Sequence, residues 1–402
     1  MADTSKGKSP FYPGQPVPVE LFVGRHDQIQ RVMQRGAHQV ALGKPVAMFV
    51  QGEYGIGKSS VASYVQRLAE AESGLHGIYA SLAGCTTLQD VAAAVLEGTL
   101  QSGAADLSRV EKVRNWLAKY VGTQQLPLGL TLNLEALKQD APNLATPFAL
   151  LGFLREVKNR LADTGVKGVF LVLDEINGIA SEAQFAPFVK GVVDTNAMAA
   201  EPLPLLLMLC GVEERRREMI QVHQPVDRIF DIVDIEAMTE PEMREFFTRA
   251  FQSVGMSVAD EAMGVLTHYS AGFPKIMHLI GDDAYWTDRD GIVDKADAMA
   301  AVMTAAEDVG RKYVDVQVYR ALRSEDYRSI LSKIAKTGLD MRFRKADVAK
   351  GLTENERKKL NNFLQKLKKL NVIRSGEIQG EYAFNLRMVR LYLWLQSTGT
   401  AR

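Results

Sequence analysis

The chain has few cysteines, no long apolar run and no net charge, and each absence excludes a class of protein. Its two cysteines, Cys85 and Cys210, cannot build a disulfide framework among 402 residues, which fits a reducing cytoplasm. The longest apolar runs, 203–212 and 169–173, are too short to span a bilayer. The first ten residues are polar and lack the apolar core of a signal peptide. The six histidines show no metal-ligand spacing. We therefore expect a cytoplasmic protein that does not enter a membrane.

The balanced total of 48 basic and 48 acidic residues hides an asymmetry along the chain. From residue 320 onward, 19 Lys and Arg stand against 8 Asp and Glu, a net charge of +11. Residues 1–319 therefore carry a net charge of −11. A basic C-terminal segment suggests a domain that binds a polyanion such as nucleic acid. The alternative is a basic face that docks on the acidic body of the same or a neighbouring subunit.

Residues 52–59 read Gly-Glu-Tyr-Gly-Ile-Gly-Lys-Ser, a complete G-x-x-x-x-G-K-S phosphate loop. The pattern predicts an apolar strand before it, over 46–50, and an amphipathic helix after it, over 60–68. Glycines let backbone N–H groups surround a pyrophosphate, and the helix N-terminus adds partial positive charge. The loop predicts binding of ATP, with Lys58 at the β- and γ-phosphates and Ser59 on Mg²⁺. The predicted nucleotide-binding residues are Gly52, Glu53, Tyr54, Gly55, Ile56, Gly57, Lys58, Ser59 and Ser60.

A second apolar strand, predicted over 169–173, ends in the pair Asp174-Glu175. Alternation of such strands with helices predicts an α/β fold, a parallel sheet with helices on both faces. Ligands of such folds lie at the carboxyl ends of the strands, where the phosphate loop and this pair both fall. We expect Asp174 to orient Mg²⁺ and Glu175 to polarise an attacking water. The alternative is that the pair only caps the next helix.

The pattern along the chain predicts four regions. Residues 1–19 form an extended, proline-rich arm, and 20–235 form the α/β core, in which 128–134 is a strand or hairpin. Residues 236–318 show helices only, an all-helical lid. Residues 319–402 show three helices followed by a short β-hairpin, which describes a winged helix-turn-helix.

The third helix of this last region combines a capping box with a polar face. Thr353 at the N-cap and Glu356 three residues later predict its start. Arg, Lys, Asn and Gln are the side chains that reach base edges and phosphates, and a recognition helix presents its N-terminal half. The predicted DNA-binding residues are Asn355, Lys358, Asn361 and Asn362 on this helix, Arg342, Arg344 and Lys345 for phosphates, and Arg374 in the wing. The alternative is a protein-interaction module, which the acidic Glu377 and Glu381 near the wing favour.

The order of phosphate loop, apolar strand with Asp-Glu, helical lid and winged helix resembles an AAA+ ATPase over roughly residues 20–390. It is closest to the origin-recognition initiator and archaeal-type ATPases, and its core is similar to transposition-regulator and secretion-type ATPases. The resemblance implies a homo-oligomer in which an arginine finger reaches a neighbour's γ-phosphate. Arg228 is the candidate finger, with Arg215, Arg216 and Arg217 as rivals and a helix-terminal salt bridge as the alternative.

The same resemblance assigns three further positions. Arg25, in Phe-Val-Gly-Arg, would pack by the adenine. Lys275 replaces the arginine that senses phosphate in the lid, and lysine lacks the bidentate guanidinium. Cys210 stands where Asn, Ser or Thr is usual, and a thiol is a weak hydrogen-bonding group. These two departures predict slow hydrolysis, or water positioning by another residue.

Two functions from different classes follow. The first is an ATPase that assembles on double-stranded DNA through a basic winged helix. The second is a signalling or defence switch whose nucleotide state controls a partner protein.

Overall fold

The computed structural model describes residues 6–14, 22–102, 111–113, 116–117, 144–370, 372–376 and 378–398. The chain divides into two compact units. We call Pro16–Glu236 the α/β unit, and Met1–Gln15 together with Ala237–Arg402 the helical unit. The strand or hairpin predicted at 128–134 lies outside the described residues. The boundaries predicted from the sequence stay predictions.

The α/β unit is built on a five-stranded sheet with the order β2-β3-β4-β1-β5, and every recorded pair of neighbours is parallel. The strands are β1 (Val46–Gln51), β2 (Leu75–Ser81), β3 (Gly168–Asp174), β4 (Leu205–Gly211) and β5 (Asp231–Asp234). β3 and β4 are buried along their whole length, as expected for apolar strands covered on both faces. The predicted α/β fold with a parallel sheet is confirmed.

Helices cover this sheet, and their starts follow from local capping. Thr87 and Asp90 form a capping box at the start of one helix. The Thr146 side chain accepts a hydrogen bond from the Ala149 N–H at the start of another, whose first residue is Pro147. The α-helices are His26–Val32, His38–Ala41, Lys58–Leu68, Leu88–Gln101, Pro147–Arg160, Phe185–Ala197 and Glu213–Val222. π-Helical turns at Met33–Ala37 and Ala69–Ser73 and 3₁₀ turns at Ala162–Thr164, Ile176–Gly178 and Gln224–Ile229 complete the unit.

The central part of the helical unit contains four α-helices, in line with the predicted lid, with one correction. The helices are Glu240–Gln252, Asp260–Ser270, Pro274–Thr287 and Lys295–Val309, which continues as a π-helical segment, Gly310–Tyr319. The prediction that this region holds helices only was wrong, because β6 (Ser257–Val258) and β7 (Ile292–Val293) form a two-stranded parallel sheet. Two residues are too few to give a strand pattern in the sequence.

Residues 6–14 form neither helix nor strand and pack on the helical unit through side chains. Phe11 is buried, with its ring centroid 4.9 Å from that of Phe251. Gly281 makes room for it, since a Cβ there would lie 2.3 Å from the Phe11 ring. Lys6 pairs with the buried carboxylate of Asp288 at 3.4 Å. The arm is therefore anchored at two points.

The C-terminal part of the helical unit contains the three predicted helices and the predicted hairpin. The helices are Glu325–Lys336, Lys345–Lys350 and Glu354–Lys369, and the hairpin strands are β9 (Ile373–Ser375) and β10 (Glu381–Phe384). Sequence reasoning missed β8 (Arg342–Arg344), which completes a sheet of order β8-β10-β9, and the last helix, Arg387–Thr398. In the described part of the chain, no helix combines the length and apolar character needed to cross a membrane.

Candidate nucleotide site

The phosphate loop joins β1 to the helix Lys58–Leu68 by a path that requires glycine. Gly55 and Gly57 have φ angles of 76° and 99°, which residues with side chains rarely adopt. A Cβ on Gly52 would lie 2.5 Å from the carbonyl oxygen of Ile235. The loop ends at the first turn of a helix, whose free N–H groups and partial positive charge suit a pyrophosphate.

Lys58, the first residue of that helix, folds back over the loop. Its ammonium donates to the carbonyl oxygens of Gly52 at 3.0 Å and Glu53 at 2.9 Å. Burial lowers the pKa of Lys58, while the negative charges of Asp174 and Glu175 oppose that shift. The amine is held by neutral carbonyl oxygens, which phosphate oxygens can replace with stronger, charge-assisted bonds.

Asp174 is the last residue of β3, and it is buried with both carboxylate oxygens engaged. The Tyr79 hydroxyl donates to Oδ2, and the Glu175 N–H donates to Oδ1 at 2.8 Å. Burial and the Asp174 charge raise the pKa of Tyr79 well above its ordinary value, whereas the Ser59 side chain acts on it in the opposite direction. Tyr79 therefore fixes Asp174, one of the two residues predicted to hold Mg²⁺.

Glu175 leaves the strand in a strained conformation, with a φ of 58°. A residue other than glycine in this region costs about 1–3 kcal/mol, and such strain concentrates at functional sites. Its side chain is exposed, whereas Asp174 beside it is buried. The two carboxylates therefore differ as their predicted roles require, one fixed by hydrogen bonds and one open to water.

The donor atoms at this edge fit magnesium. Mg²⁺ prefers oxygen ligands and usually keeps several waters, so it is bound by one or two protein groups together with substrate phosphates. The Ser59 hydroxyl and the Asp174 carboxylate are such groups. Within the described ranges, no cluster of three or more His, Cys, Asp or Glu could hold a metal by itself. A metal here would therefore depend on bound nucleotide for the rest of its ligands.

Cys210 lies near the end of β4, paired in register with Val50 of β1. It is fully buried, and burial raises the pKa of its thiol well above the ordinary value, with Asp174 adding to the shift and Lys58 opposing it. Cys210 is therefore a neutral thiol. A thiol is only a weak hydrogen-bond donor, and the predicted role of this position in orienting water stays a prediction.

Arg25 lies next to the phosphate loop and is buried. Its guanidinium donates to the carbonyl oxygen of Ile56 at 3.0 Å and also to that of Glu236. Its φ of 63° points to a conformation fixed by these contacts. The structure thus brings Arg25 to the loop as a clamp on its backbone, and the predicted role beside the adenine stays a prediction.

The three rival arginines on the helix Glu213–Val222 are all engaged within the subunit. Their partners are Glu218 for Arg215, Gln51 and Asp227 for Arg216, and Glu213 for Arg217. Arg228 is exposed and makes no ion pair or hydrogen bond with the residues that the structure describes. It borders a cleft of about 560 Å³ that also contains Val46, the first residue of β1. The phosphate loop follows the other end of β1, so Arg228 does not reach its own subunit's loop.

The remaining predicted residues belong to the helical unit. Lys275 is exposed in the first turn of the helix Pro274–Thr287, and its sensor role stays a prediction. The predicted DNA contacts on the helix Glu354–Lys369 are exposed on one side, opposite the buried stripe. They are Asn355, Lys358, Asn361 and Asn362. Arg342 and Arg374 both pair with Ala383 of β10, so they share one row of the sheet, and Arg344 and Lys345 follow Arg342.

Tyr79 and Arg216 are the site residues that sequence reasoning missed. Tyr79 carries no motif, and its contact with Asp174 arises only because β2 and β3 are neighbours in the sheet. The sequence predicts Arg216 only as a rival arginine finger. It instead binds Gln51, the residue before the phosphate loop, at 2.9 Å.

Comparison with known proteins assigns the family. Residues 21–220 match the family model described as an AAA ATPase domain. The chain carries an AAA ATPase domain. The matched residues include the phosphate loop, Asp174 and Glu175 of this AAA chain. No protein with a curated function matches the sequence.

Solved structures share the fold of this AAA chain over nearly its whole length. The Walker-type ATPase PABY2304 of Pyrococcus abyssi is 17% identical, with a TM-score of 0.55, covering 92% of this chain and 96% of that one. The ORC2 protein of Aeropyrum pernix, in ADPNP and ADP complexes, is 12% identical with a TM-score of 0.55, covering 94% and 95%. At these identities the likeness concerns the fold alone.

Proposed function

We propose that this AAA chain binds ATP with Mg²⁺, hydrolyses it slowly by itself, and uses nucleotide-dependent self-assembly to act on double-stranded DNA. The observation that carries the nucleotide part is the joint geometry of Lys58, Asp174 and Tyr79 at one edge of the sheet. The Aeropyrum pernix ORC2 protein, which shares the fold, is described in complexes with ADPNP and ADP.

Each residue then has a defined task. The loop N–H groups and Lys58 hold the phosphates, and Ser59 and Asp174 hold Mg²⁺, which supplies charge neutralisation at the β- and γ-phosphates. The exposed carboxylate of Glu175 polarises the attacking water. Because Cys210 is a neutral buried thiol, it orients that water weakly, and slow turnover follows.

Assembly is supported by the position of Arg228. Its guanidinium is exposed at the edge of the sheet away from its own phosphate loop, and it has no partner in the described part of the chain. A cation in this position can reach the γ-phosphate of a neighbouring copy, where an arginine in trans contributes strongly to turnover. A homo-oligomer would therefore hydrolyse ATP faster than a monomer.

DNA binding is supported by the C-terminal region. Three helices and an antiparallel hairpin are the elements of a winged helix-turn-helix, and the exposed Asn and Lys side chains of the third helix suit a groove. The net charge of +11 from residue 320 onward favours phosphates. Two buried, free cysteines agree with a cytoplasmic location.

The test is ATP turnover by the wild type and by Glu175→Gln, with and without duplex DNA. Turnover that rises with DNA and is lost in the variant, while ATP still binds, is the expected result. Turnover indifferent to DNA, together with no salt-sensitive duplex binding, would contradict the DNA part of the proposal and leave the ATPase part intact.

Cys210 also supports a second candidate function. A site that holds ATP well but orients water weakly suits a switch, in which nucleotide state controls a partner protein and the C-terminal region is an interaction module. A Cys210→Asn variant separates the two. Faster turnover with unchanged DNA dependence favours the DNA-associated ATPase, whereas no DNA binding in either form favours the switch.

A further inference from the structure

The helical unit contains a cationic cleft that lies outside every site described above. Six residues line a cavity of about 540 Å³: Arg320, Ala321, Arg323, Ser324, Tyr327 and Lys366. Three of them are basic and none is acidic. We call these six residues the basic cleft. Its volume lies within the range of about 300–1,000 Å³ that is usual for small-ligand sites.

The fold fixes the turn that carries the two arginines. Leu322, which lies between them, is fully buried, and its N–H donates to the Val318 carbonyl at 2.8 Å. The Arg328 guanidinium donates to the Leu322 carbonyl at 3.0 Å. Leu322 is therefore fixed from both sides. Arg320 and Arg323, which lie on either side of it, are exposed. The cleft is therefore held in place by buried contacts.

The basic side chains of the cleft are not neutralised by the protein. Among the residues that the structure describes, Arg320, Arg323 and Lys366 make no ion pair and no side-chain hydrogen bond. Neighbouring lysines behave differently, since Lys359 pairs with Asp326 at 2.5 Å and Lys333 pairs with Glu356 at 2.6 Å. The lysines around the cleft are therefore paired with carboxylates, whereas the cations that line the cleft have no carboxylate partner among the described residues.

Two hydroxyl groups add hydrogen-bonding capacity at the same place. Ser324 is the N-cap of the helix Glu325–Lys336, yet its side chain makes no capping bond. The Tyr327 ring packs on Phe363 with centroids 5.4 Å apart, while its hydroxyl bonds to no described residue. Cations together with hydroxyl donors and no carboxylate in the lining are the chemistry that recognises a phosphate, and arginine adds bidentate geometry.

We propose that the basic cleft binds a phosphate ester, either a backbone phosphate of nucleic acid or the phosphates of a free nucleotide. The site is distinct from the predicted recognition surface. Lys366 lies eight residues beyond Lys358 on the same helix, about 12 Å along its axis. A duplex on that surface and a phosphate in the cleft would therefore contact different parts of this helix.

The first test compares two double variants with the same change of charge. Arg323→Gln/Lys366→Gln removes cleft cations, and Arg311→Gln/Lys312→Gln removes cations that are paired with Glu307 and Asp308. Binding of a short duplex is measured over a range of salt concentrations. Each lost phosphate contact lowers the slope of log K against log salt by about 0.9, so the cleft variant should lose about two and the control little.

The second test uses inorganic pyrophosphate as the probe. Calorimetric titration is carried out in a Lys58→Ala background, so that the phosphate loop does not contribute, with and without the cleft substitutions. At least a tenfold loss of affinity in the cleft variant, with no loss in the control, identifies a free nucleotide as the source. A reduced salt slope alone identifies nucleic acid.

The proposal is wrong if the cleft variant matches the control in both tests. Thermal unfolding of each variant shows whether the fold is kept. Arg320→Gln serves as a second cleft variant, since its side chain is exposed and its loss should leave packing unchanged.

Discussion

Lys58 of the α/β unit and Lys358 of the helical unit lie in different environments. Lys58 is half-buried and donates to two carbonyl oxygens, with Asp174 and Glu175 close enough to oppose the burial shift of its pKa. In the C-terminal part of the helical unit, Lys358 and its neighbours are exposed, and its pair with Glu354 is long, at 3.6 Å. A half-buried cation held by hydrogen bonds acts through fixed geometry, whereas exposed cations act through summed charge.

The largest effect is expected from a substitution at Lys58. Lys58→Ala should weaken ATP binding about 10- to 100-fold, because a charged hydrogen bond contributes about 1.5–3 kcal/mol. Titration with a fluorescent ATP analogue measures the affinity. Lys44→Ala, which removes an exposed lysine of the same unit, is the matched control and should bind normally. Equal losses of ATP affinity in the two variants would mean that the fixed position of Lys58 over the loop does not matter for ATP binding.

Tyr79→Phe tests whether fixed geometry extends beyond the groups that touch the ligand. Loss of its hydrogen bond to Asp174 should raise the Mg²⁺ concentration needed for tight ATP binding about tenfold, as expected when a residue that orients a metal ligand is changed. The readout is ATP affinity at graded Mg²⁺, so turnover is not needed. Tyr64→Phe removes a hydroxyl from a ring that stacks on Phe22 and should leave the Mg²⁺ dependence unchanged.

A single exposed cation should have a smaller effect. Lys358→Gln should lower the slope of log K against log salt for duplex binding by about one, with a similar loss for any sequence. Lys295→Gln, which removes a paired lysine elsewhere in the helical unit, should leave the slope unchanged. A large loss at Lys358 with no change in slope would show that it reads bases rather than phosphates.

The smallest expected effect concerns an ion pair between the half-buried Lys333 and the buried Glu356. Hydrogen bonds lower the pKa of Glu356 from its ordinary 4.5 to about 2, the largest share coming from Lys333 at 2.6 Å and the rest from Ser329 and Thr353. Because the folded pKa is the lower one, the stabilisation is complete above about pH 4.5 and is lost as the pH falls toward 2.

Urea unfolding of the wild type and Glu356→Gln at a series of pH values measures this contribution. The stability gap between the two proteins should narrow as the solution is acidified through that window. Asp347→Asn removes one partner of an exposed pair and should show a much smaller gap at every pH. A constant gap for Glu356→Gln would mean that capping geometry, rather than charge, is what Glu356 provides.

Local signals predicted the parts of the molecule that depend on neighbours in sequence. The phosphate loop, the buried strands and the Thr353 capping box were all visible in spacing and composition, and the structure contains them. Contacts between distant segments were not visible. Tyr79 meets Asp174, and Arg216 meets Gln51, only because of the strand order and the way that a helix packs beside it. A three-residue strand such as β8 has no pattern of its own and exists because β10 pairs with it.

The anchored N-terminal arm has a practical consequence for dividing the protein. Residues 6–12 belong to the helical unit, although the α/β unit follows them directly in the chain. A reporter fused to Met1 would therefore be attached to the helical unit and not to the α/β unit, which comes next in the sequence. An isolated fragment that starts at Ala237 would expose the aromatic pocket that Phe11 fills. Adding the first fourteen residues as a synthetic peptide should fill that pocket and restore the stability of the fragment.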